Sequence, residues 1–360
     1  MAANTNLQED EDEIINACTY HRSEFDKVLI RTPERKLDAP FLQSSFDTTS
    51  SSSLGILDRL PEELTLMILR ELDILSYLRF RGVSNRARSI ATTSREYKTV
   101  VKHGLQGLKP LLKAELGHVP TIAHFYQALV DNKCEFCGKF ATFLYLITCQ
   151  RCCFTCLQIS ADLHVLPVPV PKAFAKAVES SSKEIEKICG PKLRVVYGKY
   201  SLQPWPSVKR PRYLVQTKPV VEKLRSAGSS RGMPKSVLSY QPQSQSHDEI
   251  RHDFCYRYMA ATAFPWYNLR NDRIERGMNC KGCQFRVEEF ERTNRHLDPP
   301  WGFNDRDRVY SLEEFVYHFR SCAHARQVWA DTQETQEAPE STFTLQGGIV
   351  IHYEPRHELH

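Results

Sequence analysis

The sequence predicts an α+β fold, with three short helices near the N-terminus followed by a mainly helical, cysteine-stapled body with short strands. Three observations carry that expectation. Apolar residues recur at four-residue spacing from Leu64 through Ile68 to Leu72, the period of a helix face. Cysteines gather in two separate groups, each containing a C-x-x-C pair. The apolar run from Phe140 to Ile147 lies between two cysteine pairs and reads as a strand.

The elements follow in order. Residues 1–53 read as a disordered N-terminal tail: they contain the acidic run Glu9 to Glu13 and end in Thr48-Thr49-Ser50-Ser51-Ser52-Ser53, neither able to bury apolar surface against its ordering entropy. Residues 54–100 form the three-helix block. Pro61 suits a first helical turn, and Glu62 and Glu63 complement the helix dipole there. Met67 and Leu69 thicken the apolar stripe, and Ser76 and Ser84 are expected to cap two further helices. Residues 101–225 carry helices at Val101 to Ala114 and Ile122 to Val130, the first cysteine group, a proline-punctuated stretch (Leu166 to Pro171) and one helix near Ala173 to Ile188. Residues 226–250, rich in Gly, Ser, Pro and Gln, read as a flexible loop. The second cysteine group occupies 251–330, and 331–360 is a polar C-terminal tail.

Composition narrows the function. With 41% hydrophobic and 25% charged residues, the 360-residue chain can bury a real core. A net charge of only +5 does not describe a nucleic-acid binder. No apolar run approaches the roughly 18 residues that span a bilayer, and the polar, acidic start is unlike a signal peptide. The expected setting is therefore soluble, in cytoplasm or nucleus, without a membrane. There disulfides rarely persist, so the nine clustered cysteines of the twelve point to metal sites, and Cys18, Cys189 and Cys255 stand alone.

The string Leu57-Asp58-Arg59-Leu60-Pro61-Glu62-Glu63-Leu64, followed by Ile68-Leu69, Leu72-Asp73, Leu78-Arg79-Phe80-Arg81 and Val83-Ser84, resembles the F-box family over about 40 residues. Three short helices cannot close a core alone, so some of their apolar residues stay exposed for a partner. The resemblance implies a Skp-type adaptor as that partner and, through it, a cullin scaffold of an SCF ubiquitin ligase. It also implies Leu60, Pro61, Leu64, Ile68, Leu78, Phe80 and Val83 as the contact residues. The family's chemistry resides in other subunits, so no enzyme is expected.

The first cysteine group runs Cys134-Glu135-Phe136-Cys137-Gly138 and then Cys149-Gln150-Arg151-Cys152-Cys153-Phe154-Thr155-Cys156. Zinc takes four soft ligands in a tetrahedron, and C-x-x-C lets two sulfurs reach one ion. Gly138 supplies the tight turn of such a knuckle. Six thiols exceed one ion's need. Cys134, Cys137, Cys153 and Cys156 are the chosen set, with Cys149 and Cys152 the alternative second pair. The group is similar to the cysteine cluster found downstream of the F-box in many filamentous-fungal F-box proteins.

In the second group, Cys280-Lys281-Gly282-Cys283 needs partners downstream. Ser311-Leu312-Glu313-Glu314 is a capping box opening a helix on which His318 and Cys322 share a face. Leu312, Phe315, Phe319 and Trp329 would anchor it, and His324, two residues from Cys322, points away. The expected set is Cys280, Cys283, His318 and Cys322, across an intervening loop of 34 residues. Tyr258-Met259-Ala260, Phe264-Pro265 and Arg276-Gly277 also resemble those fungal proteins.

Four ligands per ion and no H-E-x-x-H describe two structural Zn2+ rather than an open catalytic one. The function expected is a substrate receptor for an unknown protein target. The alternatives are a zinc-binding regulator of protein or nucleic acid, uncoupled from ubiquitination, and a RING-type ligase. The basic run Lys209-Arg210-Pro211-Arg212 is too short to favour nucleic acid. The two cysteine groups lie too far apart for the interleaved ligands of a RING.

Overall fold

A computed structural model describes residues 11–32, 38–45, 52–198, 200, 212–226, 255–294 and 304–348. These form two compact units, one drawn from residues between Leu29 and Arg276, the other from 11–28 and 277–348. Helices and strands both occur, as the α+β expectation requires. Among the described residues no helix is long and apolar enough to cross a membrane.

The larger unit carries the successive helices Glu62–Glu71, Ile74–Arg81, Asn85–Thr93 and Arg95–His103. Pro61 is the N-cap of the first, with Glu62 and Glu63 in its first turn. Ser84 caps the third, its side chain accepting from the Ala87 amide. The second helix corrects the sequence reading: Asp73, not Ser76, is the cap, and its carboxylate accepts the Ser76 amide at 2.9 Å. A carboxylate at the N-terminus outcompetes a hydroxyl three residues further in. Tyr77 and Tyr97 stack at 5.1 Å in the core of these helices.

The expected helix at Val101 to Ala114 is split at Gly104 into Arg95–His103 and Leu105–Lys113. A β-carbon on Gly104 would fall 2.9 Å from the Val100 carbonyl and 3.2 Å from the Phe125 ring, so only glycine allows helix Ile122–Val130 to approach here. The helix expected near Ala173 to Ile188 is also two, Lys172–Ala177 and Ser182–Ile188. Glu179 takes a left-handed φ of 51°, and Ser181 with Glu184 closes a capping box that starts the second helix.

Strand Phe143–Tyr145 lies between Gln150–Cys152 and Ala261–Ala263, antiparallel to both. A second sheet orders Val165–Val168, Tyr213–Gln216 and Leu193–Arg194. It covers a satellite core in which Cys189 packs with Leu166, Val170, Ile185 and Val215. Strand Ala261–Ala263 thus completes the sheet of the first cysteine group, although the sequence boundary at 251 assigned it to the second. Strand pairing over a hundred residues leaves no local mark.

The expectation of a disordered 1–53 is corrected for the described part of it. Residues 11–18 are helical, Thr19–Tyr20 pairs with Asn279–Cys280, and Cys18 is fully buried with Ala17 in the core of the smaller unit. Ile30 bridges Thr262, and helix Asp38–Gln43 is tied down where Arg81 donates to the Phe41 and Ser44 carbonyls. Polar composition hid these isolated apolar residues, whose partners lie far along the chain. The tail at 331–360 is corrected likewise: helix Ala323–Thr335 runs into it, and Thr342–Leu345 is a further helix with Thr344 buried. The loop at 226–250 and the basic run at 209–212 fall almost wholly outside the described residues.

Candidate metal centres and an exposed apolar helix face

The first knuckle is built from backbone. The Gly138 amide donates to the Cys134 carbonyl at 2.8 Å, with Gly138 at φ 71°. The chain then returns along strand Gln150–Cys152 and turns into helix Phe154–Ile159. Cys153 is its N-cap, accepting the Cys156 amide at 3.4 Å. Sharing with Cys134 pushes the Cys153 thiol up, outweighing the Cys156 amide, which favours the thiolate.

Cys134, Cys137, Cys153 and Cys156 converge, with their sulfurs all within 4.8 Å of one another and Cys137 Sγ 3.6 Å from Cys153 Sγ. Metal–sulfur bonds of about 2.3 Å in a tetrahedron set sulfurs about 3.8 Å apart, so the donor set fits one such ion. Hydrogen bonds from Cys153 and then Cys156 hold the Cys134 thiol low, and the Cys156 thiol is pushed up by sharing with Cys134 and Cys153. Crowded sulfurs cannot all carry charge unless a cation joins them.

Cys149 and Cys152 are left out. Both are fully buried, and burial pushes both thiols up. Neither joins the group of four sulfurs, and Cys149 sits in the turn before strand Gln150–Cys152 at φ 57°. Of the two second pairs, it is Cys153 and Cys156 that lie within reach of Cys134 and Cys137.

The second centre repeats the device. Cys280 is the N-cap of helix Lys281–Thr293 and accepts the Cys283 amide at 3.4 Å. Cys283 Sγ lies 3.4 Å from His318 Nε2 and 3.9 Å from Cys322 Sγ, again tetrahedral edges. Hydrogen bonds from Cys280 and then Cys283 hold the Cys322 thiol low. One detail differs from the sequence reading: helix Leu312–Ser321 stops before Cys322, which forms the joint to helix Ala323–Thr335. Phe315 is buried as expected, with Phe319 and Trp329 packed beside it, but Trp329 lies on the second of these helices. His324 does point elsewhere, pairing with Glu289 at 3.6 Å.

Two supporting residues escaped the sequence reading. Tyr310 stacks on the His318 ring at 4.5 Å, and its hydroxyl lies 3.3 Å from Nδ1, leaving Nε2 to face the sulfurs. The order Tyr310-Ser311, with Ser311 capping the helix that carries His318, was the available signal; the expected capping box is only half formed, since the Glu314 carboxylate accepts from Arg308 instead. Arg151 is fully buried, and its five N–H groups reach the carbonyls of Ala128, Ala141, Phe264, Leu129 and Pro265. It thereby fastens helix Ile122–Val130 and the Phe264–Pro265 segment that follows strand Ala261–Ala263 to the sheet that carries the first centre.

On helix Glu62–Glu71 the inward face is Thr65 and Leu69, while Leu64, Met67 and Ile68 are 45%, 63% and 50% exposed. That is the reverse of a self-sufficient helix, which would bury its larger apolar stripe. Pro61 and Leu60 are exposed beside it, as are Val83 at 75% and Ile56 at 75%, the last absent from the sequence-derived set. Leu78 and Phe80 are half-buried.

A family model described as the F-box domain matches residues 57–99, the stretch that carries this face. No curated protein and no solved structure matches the chain.

Proposed function

We propose that the chain is the substrate-receptor subunit of an SCF-type ubiquitin ligase. It binds a Skp-type adaptor, and through it a cullin, by Leu60, Pro61, Leu64, Ile68, Leu78, Phe80 and Val83. An unknown protein target is held by the cysteine-rich remainder, which two structural Zn2+ stabilise at Cys134, Cys137, Cys153, Cys156 and at Cys280, Cys283, His318, Cys322. The chain itself performs no catalysis in this reading and acts in cytoplasm or nucleus.

The observation that carries the reading is the inverted helix: inside the F-box match, the larger apolar side chains of Glu62–Glu71 face solvent. A partner covering them removes that surface from water. The metal part rests on sulfur spacings that suit a tetrahedral ion without rearrangement. Bound zinc polarises nothing here; it joins segments, and its binding is folding energy on the order of 10 kcal/mol per site.

The test is adaptor binding by calorimetry. The Leu60→Ala/Pro61→Ala double variant should lose about 2 kcal/mol, on the order of thirtyfold in Kd. Unchanged affinity in the double variant would sink the adaptor assignment. A folded, zinc-loaded chain that binds no adaptor would instead favour the uncoupled zinc-binding regulator.

A further inference from the structure

The two centres have similar donors but differ in their most accessible sulfur: each has two half-exposed ligands, and only the first has a fully exposed one, Cys137. In the first, Cys137 is exposed and Cys153 and Cys156 are half-exposed, leaving only Cys134 inside. In the second, Cys280 is 0% and Cys283 5% exposed, and Cys322, half-exposed like His318, packs its buried side against the core of Cys18, Tyr310, Phe315 and Ala325. A sulfur reacts with an oxidant only if the oxidant can reach it along the line of the breaking bond. Within the first centre the most accessible sulfur, Cys137, also lies 3.6 Å from Cys153, close enough to pair after modest rotation.

We propose that the first centre is an oxidant-sensitive metal site: peroxide joins Cys137 to Cys153 and releases the ion, while the second centre keeps its own. The inference rests on the zinc reading above. The Cys137 thiolate attacks one peroxide oxygen, the O–O bond breaks, and the departing hydroxide takes a proton to become water. The resulting sulfenic acid is attacked by the Cys153 thiolate, forming the S–S bond and expelling a second hydroxide that also becomes water. Two electrons pass from two sulfurs to one peroxide. Cys134 and Cys156 remain, two ligands where four are needed, and Zn2+ leaves. Helix Phe154–Ile159 loses the thiolate that caps it, since Cys153 is its N-cap. The consequence is a local loosening on the target-holding side of the chain, reversible by a dithiol.

The experiment uses the full chain loaded with zinc. Zinc per chain is counted, hydrogen peroxide is added, and release is followed with a chromogenic chelator. Differential alkylation with mass spectrometry then maps the oxidised cysteines. The expected result is two zinc ions at the start and release of one, at least tenfold faster than the other. A Cys137–Cys153 disulfide should accompany it, with full rebinding after reduction. Cys137→His, which retains a ligand but cannot form the disulfide, should keep both ions under the same peroxide.

Release of both ions at one rate, earlier release from Cys280, Cys283 and Cys322, or no release at all would overturn the proposal while leaving the zinc reading standing. A chain that holds no zinc at the first centre before peroxide is added refutes both. Should Cys137→His fold poorly, the wild-type disulfide map decides alone.

Discussion

Substituting Gly282 by Ala separates tertiary fit from helical propensity, because the two predict opposite signs. Gly282 is the second residue of helix Lys281–Thr293, inside the Cys280–Cys283 knuckle. For an isolated helix, Ala in place of Gly stabilises by about 1 kcal/mol. Here the added β-carbon would stand 2.2 Å from the Ala325 nitrogen, and 2.6 Å from both Ala325 Cα and the His324 carbonyl carbon. Those atoms are backbone in the first turn of helix Ala323–Thr335, so no rotamer change relieves the clash. The helix must retreat by roughly an ångström, and overpacking of that kind costs about 1–3 kcal/mol. Cys322 lies at the start of that helix with its sulfur 3.9 Å from Cys283 Sγ, so the retreat also opens the ligand set. The net expectation is a loss of about 2 kcal/mol or more, a Tm lower on the order of 10 °C for a unit of this size. Zinc per chain should fall toward one as the second centre weakens. Differential scanning calorimetry with zinc counting reads both. A raised Tm with two ions retained would refute the backbone-contact argument.

Further outcomes follow from the supporting residues. Arg151→Met strands five backbone carbonyls inside the larger unit and should cost more than about 5 kcal/mol, seen as loss of a cooperative urea transition. Arg151→Lys should recover only part of this, since one ammonium cannot span the arc of acceptors. Tyr310→Phe removes the hydroxyl beside His318 Nδ1 and should weaken zinc at the second centre about 10- to 100-fold in a competitive chelator titration, leaving the first unchanged. Asp73→Ala should cost about 1 kcal/mol in urea denaturation. Burial raises the Asp73 carboxyl, but hydrogen bonds from Ser76 and Leu75 outweigh it and hold it below the ordinary carboxylate value. Its stabilisation is therefore present above the unfolded value of 3.8 and lost as pH falls through the folded one. The wild-type advantage over Asp73→Ala should shrink below that pH, and an advantage independent of pH would contradict the cap's charge.

What the sequence determined alone are features set within a few residues. The Leu60-Pro61 start, the Ser84 and Ser311 caps, the φ > 0 turn at Gly138 and each C-x-x-C pair are local because one helical turn or one knuckle spans only three or four residues. The four side chains that converge at the second centre were also those the sequence spacing grouped, although Cys322 lies just past the end of the helix that carries His318. The choice between Cys149 with Cys152 and Cys153 with Cys156 was not local. It turned on which sulfurs the fold brings within reach of Cys134 and Cys137 and on Cys153 starting a helix.

Tertiary structure also decided that Leu64 and Ile68 face out while Leu69 faces in, because a helical stripe shows periodicity and not which side has a neighbour. It recruited Thr19–Tyr20 to Asn279–Cys280 and Ala261–Ala263 to Phe143–Tyr145. Arg151 found five carbonyls on segments more than a hundred residues apart. Such pairings are fixed by burial and hydrogen-bond satisfaction in the assembled core, and those constraints exist only once distant segments meet.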